Sequence, residues 1–144
     1  WFIEKATEIG VDEISFIKTK NTLRKKINLG RILKISISAL KQSKNPFLPK
    51  INNIISYKDF LQNCKNHNKY IAILNNNKCN HIIDVISNHN TCIMIGPEGD
   101  FDYDEINMAE SRNFNFIHLG KNTLRTETAA IYSSIIFKGQ YGSN

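Results

Sequence analysis

Two short segments hold residue types at a spacing that could bind a ligand. Ile93-Met94-Ile95-Gly96-Pro97-Glu98-Gly99-Asp100-Phe101 and Leu119-Gly120-Lys121-Asn122-Thr123-Leu124-Arg125-Thr126-Glu127-Thr128-Ala129-Ala130 each run from an apolar strand into a turn that exposes backbone amides. Gly96 and Gly99 remove the Cβ where a ligand would approach the main chain, and Pro97 fixes one φ. Gly120 releases the strand built on Phe114, Phe116, Ile117 and Leu119 into a loop. A helical pattern follows each turn. Ligands of open α/β sheets sit beyond the carboxyl ends of the strands, so two such exits close in sequence mark the place for a small molecule.

The side chains in these turns admit two readings. Glu98 is either a solvated or backbone-capping carboxylate, or a ligand contact that organises its loop. Thr126 can cap the final helix while Glu127 and Thr128 serve its first-turn amides and dipole. Arg125 is harder to explain structurally, because a guanidinium beside exposed amides can hold a phosphate or carboxylate bidentately or polarise a carbonyl. No Ser-His-Asp or Cys-His arrangement is apparent. Gly-Pro-Glu-Gly matches neither a phosphate P-loop nor G-x-G-x-x-G, which points away from nucleoside triphosphates and nicotinamide cofactors.

The elements that must position these turns alternate. Helical patterns cover 1–9, 28–44, 57–64, 102 onward and 126–137, with Asp102 and Glu105 spaced as a capping box. Strand patterns cover 13–18, 51–55, 70–74, 92–95 and 114–119; 70–74 is continuously apolar, as expected of a strand covered on both faces. Residues around 80–87 show no pattern, and Asn75–Asn77 read as solvated loop. The alternation predicts an α/β domain with a mostly parallel sheet and helices on both faces.

A length of 144 residues suits one domain, and no apolar run approaches a membrane span. Cys64, Cys79 and Cys92 are odd in number and widely spaced, which argues for free thiols in a reducing, cytoplasmic setting and against a disulfide framework. His67, His81, His89 and His118 are scattered, so no metal is expected. The net charge of +6 suits a polyanion, yet the cations read as spread out, densest at Lys18–Lys26 and Lys41–Lys50. The chain opens on Trp1 inside a helical pattern, which suggests an upstream segment.

Glu4-Lys5-Ala6-Thr7-Glu8-Ile9-Gly10-Val11, Ala39, Gln42-Ser43, Leu48-Pro49, Ile95-Gly96-Pro97-Glu98-Gly99, Glu105-Ile106 and Leu119-Gly120 with Leu124-Arg125-Thr126-Glu127-Thr128-Ala129 together resemble the ribosomal RNA small subunit methyltransferase E family. The resemblance covers nearly the whole chain. It implies a SPOUT fold with a carboxyl-terminal trefoil knot, a homodimer, S-adenosyl-L-methionine as cofactor, and methylation of the uracil imide nitrogen (N-3) of a uridine in 16S small-subunit ribosomal RNA. It also implies an upstream PUA-like β-barrel that binds RNA, outside residues 1–144. Carried over by position, it places the cofactor against Leu74, Ile95, Gly96, Pro97, Glu98, Gly99, Leu119, Gly120, Leu124 and Thr126. Arg125 would then stabilise charge on the uracil carbonyls or hold a phosphate, and Glu127 or Glu98 would position the acceptor or take its proton. The chain departs from the family at Asp100, where Gly is usual, and at Lys41, Asn45, Phe47 and Lys121-Asn122. These departures favour the alternative, a non-catalytic RNA-binding or ribosome-assembly module on the same fold.

Overall fold

The computed structural model describes residues 1–74, 79–85 and 90–141. The strand pieces β1 (Glu13–Ile14), β2 (Ile17–Lys18), β3 (Lys50–Ile51) and β4 (Ile55–Ser56) form two parallel pairs, β1 with β3 and β2 with β4. The strands expected at 13–18 and 51–55 are therefore each broken in two. Register explains the break: Ile14 pairs with Ile51 but Ile17 with Ile55, so the second strand carries one residue more than the first across the gap.

The main sheet contains β5 (Asn68–Ala72), β6 (Asn80–His81), β7 (Thr91–Met94) and β8 (Asn115–His118), all parallel, in the order β6-β8-β5-β7. β5 alternates its contacts. Ile71 and Ile73 pack with Tyr57 and Leu61 of α3 (Tyr57–Asn63) and Ala109 of α4 (Tyr103–Ser111). Tyr70 and Ala72 pack with Phe137 of α5 (Thr126–Tyr141) and with Ile82. Helices thus cover both faces, and a strand buried on both sides has no polar face to alternate with. A third cluster joins Ile3 and Ala6 of α1 (Phe2–Ile9) to Ile14, with Ile32 and Ile35 of α2 (Leu29–Ser43) against it.

Two details differ from expectation. Leu74 lies beyond the end of β5 and is 57% exposed, so only the first part of the 70–74 run is sandwiched. The patternless stretch holds β6 and a single 3-10 turn, Ile82–Asp84; Asn75–Asn77 and residues 86–87 lie outside the described residues. α5 continues past Phe137, where Lys138 pairs with Asp12 at 2.8 Å and the Gln140 amide donates to Val85 O at 3.1 Å.

Candidate functional site

β5 has β7 on one side and β8 on the other, so the sheet's connections diverge at its carboxyl end, which is where an open parallel sheet leaves a crevice. An open cleft of ≈ 110 Å³ occupies that position. Its walls come from three exits: Ala72–Leu74 after β5, the Ile95–Asp100 turn after β7, and the Leu119–Thr126 segment after β8, with Ala129 of α5 behind them.

The exit after β7 is a closed turn. Asp100 N donates to Pro97 O at 2.8 Å, and Asp100 itself sits at φ 58 with its carboxylate accepting from Phe101 N at 2.8 Å. Asp is among the few side chains that tolerate this backbone region, which is how the chain does without a glycine there. Gly96 is sterically required: a Cβ would lie 2.9 Å from Asp100 Oδ1 and 3.3 Å from the Phe101 ring. The exit after β8 turns at Gly120, φ 128, whose amide donates to His118 Nδ1 at 3.3 Å.

One hydrogen bond joins the two exits: Thr126 Oγ1 donates to Gly96 O at 2.8 Å. This corrects the expectation that Thr126 caps α5. The hydroxyl is spent on the neighbouring turn, and the helix begins instead on the bond from Ala129 N to Arg125 O, 2.8 Å. The α4 capping box forms as expected, with Glu105 Oε2 accepting from Asp102 N at 2.9 Å. Its other oxygen accepts from Lys20 N at 2.8 Å, so this buried carboxylate also anchors a distant loop. The Tyr57 hydroxyl donates to Glu105 O at 2.6 Å, and burial raises the Tyr57 pKa, so it remains a donor.

Of the ten positions expected around a cofactor, Leu74, Ile95, Gly96, Pro97, Glu98, Leu119, Gly120, Leu124 and Thr126 line the cavity. Gly99 does not. It packs against Asn21 instead, and a Cβ there would lie 3.1 Å from Asn21 Cβ. Arg125 and Glu127 are also outside the walls: Arg125 is exposed at the rim, Glu127 is partly exposed two residues further on, and neither side chain has a polar partner among the described residues. Glu98 is likewise exposed, on the wall itself. Lys121, Asn122 and Thr123 line it too, inside the Leu119–Thr126 segment that the resemblance points to, whereas Ala72, Ile73, Asp100 and Ala129 are lining residues outside the expected set. Ala129 had a usable signal, since it stands three residues after Thr126 on the same helix face. Among the described residues no cluster of His, Cys, Asp and Glu could hold a metal, and no helix is long and apolar enough to cross a membrane.

Comparison with known proteins gives a consistent result. Residues 1–138 match the model of a family described as the RNA methyltransferase domain. The chain is 41% identical over 136 residues to ribosomal RNA small subunit methyltransferase E of Mesomycoplasma hyopneumoniae (strain 232), covering 90% of this chain and 59% of that protein. Among solved structures, a ribosomal RNA small subunit methyltransferase E from Neisseria gonorrhoeae bound to S-adenosyl methionine is 29% identical, with a TM-score of 0.84 over 92% of this chain and 56% of that one. A Legionella pneumophila protein described as a putative methyltransferase with bound SAM is 27% identical, with a TM-score of 0.87 over 96% of this chain and 59% of that one. The chain therefore spans about three-fifths of the length of these relatives.

Proposed function

The chain belongs to the RNA methyltransferase domain family, and from that premise we propose that it is the S-adenosyl-L-methionine-dependent catalytic domain of a cytoplasmic enzyme methylating N-3 of a uridine in 16S ribosomal RNA. The observation that carries the proposal is the convergence of three strand exits on one cavity at the divergence point of the sheet. The residues present suit the donor. Leu74, Ile95, Leu119 and Leu124 offer apolar walls for a flat base, and the peptide groups of the two glycine-bearing turns lie along the same walls.

When bound, S-adenosyl-L-methionine supplies a methyl group made electrophilic by its sulfonium. What remains for the protein is alignment, exclusion of water and handling of one proton. The Thr126–Gly96 bond fixes the two exits relative to each other, so the walls are set before anything binds. Arg125, exposed at the rim and with no side-chain partner among the described residues, meets the acceptor nucleotide in this reading and stabilises charge on uracil carbonyls as the imide proton leaves. Glu127 or Glu98 takes that proton.

The same reading includes the upstream RNA-binding barrel, the knot through which α5 would thread, and pairing of two copies along α5, where Ile135 is 52% exposed. Donor titration followed by methyl transfer to small-subunit particles tests the proposal, read as N3-methyluridine by mass spectrometry. A folded chain that ignores the donor would favour the non-catalytic RNA-binding module.

A further inference from the structure

The +6 charge is unevenly distributed along the chain. Residues 14–58 hold 11 of the 19 lysines and arginines and none of the 13 acidic residues, while the other 8 basic and 13 acidic residues leave the rest of the chain at −5. Within the basic stretch, Lys20 pairs with Asp102 at 3.2 Å and Lys50 with Glu13 at 3.0 Å. Arg24, Lys25, Lys26, Arg31 and Lys34 are exposed and form no ion pair among the described residues. The first three lie on a loop without regular structure, and Arg31 and Lys34 follow on one face of α2, three residues apart.

The start of that loop is fastened to the turn that walls the cavity. Asn21 Nδ2 donates to Gly99 O and to Asp100 O, each at 3.1 Å, and Lys20 N donates to Glu105. Gly99 thus has a use other than ligand approach: it leaves room for Asn21. The turn is shared, with Ile95–Glu98 and Asp100 facing the cavity and Gly99 facing the root of a cationic loop.

We propose that Arg24, Lys25, Lys26, Arg31 and Lys34 form a track for the phosphates of single-stranded RNA flanking the nucleotide presented at the cavity, held in place by the Asn21 clip. The inference rests on the methyltransferase reading for the identity of the site, but phosphate binding is measurable without it. Salt dependence is the distinguishing readout, because each phosphate neutralised on a single strand contributes about −0.7 to the slope of log K against log salt.

The test uses the 144-residue chain, a short single-stranded oligouridylate and a polyglutamate of matched charge, titrated at several salt concentrations. The R24A/K25A/K26A variant should bind the RNA more weakly, with the slope shallower by about 2. K65A/R112A removes two charges at the other end of the sheet and should leave the slope unchanged. The proposal is overturned if the triple variant keeps the wild-type slope, if K65A/R112A loses as much per charge, if polyglutamate binds as tightly as RNA, or if the unmodified chain shows no RNA binding at low salt. S-adenosyl-L-methionine titration of the same proteins separates the two ideas. An altered slope without any donor binding would keep the phosphate track and sink the methyltransferase reading.

Discussion

The two ends of the four-stranded sheet are finished differently. At the amino end the strand entries are tied to one another: Asn66 Nδ2 donates to Asn90 Oδ1 at 2.8 Å, Asn68 N to Asn90 O at 3.1 Å, and Phe114 N to Ala109 O at 3.0 Å, with Lys69 over the Phe114 ring at 5.4 Å. At the carboxyl end the exits after β7 and β8 are joined by one Thr126 hydroxyl, and a cavity lies between the exits with Leu74 exposed. The closed end satisfies its polar groups internally; the open end leaves peptide edges and apolar side chains for a ligand. Changes at the open end should therefore alter function with modest effects on stability, and changes at the closed end should cost stability while leaving function nearly untouched.

The largest effect is expected at Arg125. Arg125→Ala should lower methyl transfer about a hundredfold or more while leaving donor affinity nearly unchanged, because its proposed contact is with the acceptor and the developing charge. Single-turnover rates beside donor titration check this, and loss of donor binding instead would move Arg125 into the cofactor site. Next is Gly96→Val. Its Cβ would displace the Asp100 carboxylate and crowd Phe101, so donor affinity should fall about tenfold or more, about 1.4 kcal/mol, with thermal unfolding still cooperative.

A smaller change is expected for Asp100→Gly. It relieves a left-handed side chain but loses the bond to Phe101 N, two effects of about 1 kcal/mol and opposite sign, so the melting temperature should barely move. Donor affinity should stay equal or tighten, and weaker binding by calorimetry would give Asp100 a role of its own.

The smallest functional effect belongs to the closed end. Cys64 is pulled down to about 6, chiefly because the Cys92 thiol donates to it. A lowered pKa means the thiolate persists below the usual thiol range, so alkylation of Cys64 by iodoacetamide should continue at neutral pH and slow only as pH falls through about 6. The alkylated protein should bind donor as before. A strong loss would show that the two ends are coupled through β5 and β7.

The sequence made the open end legible because its signals are local. Glycines at strand exits, a capping box and a buried strand run can each be read within a dozen residues, and the family resemblance tied the three exits together. Contacts between distant residues were not legible. Asn21 meets Gly99 across 78 positions, and nothing in either neighbourhood announces it. The break in the 13–18 strand comes from one extra residue on a partner nearly forty positions away. β6 was missed because Asn80–His81 is a two-residue polar edge strand with no alternation to detect. The charge asymmetry is a property of 45 consecutive residues without a carboxylate, a length well beyond the reach of any local motif.

The two glycines at the open end are constrained in opposite ways, and the difference concerns chirality. At Gly96 the obstacle is size, since the space a side chain would need is occupied. Around Gly120 there is nothing within 4 Å of an added Cβ, and only the sign of φ excludes an ordinary residue. A chain assembled by ligation with D-alanine at position 120 should therefore be free of the backbone strain that L-alanine, identical in volume and with room for its methyl group, brings to the loop. Ribosomal synthesis offers only one achiral residue, so at position 120 glycine stands in for a mirror-image amino acid that the code does not contain.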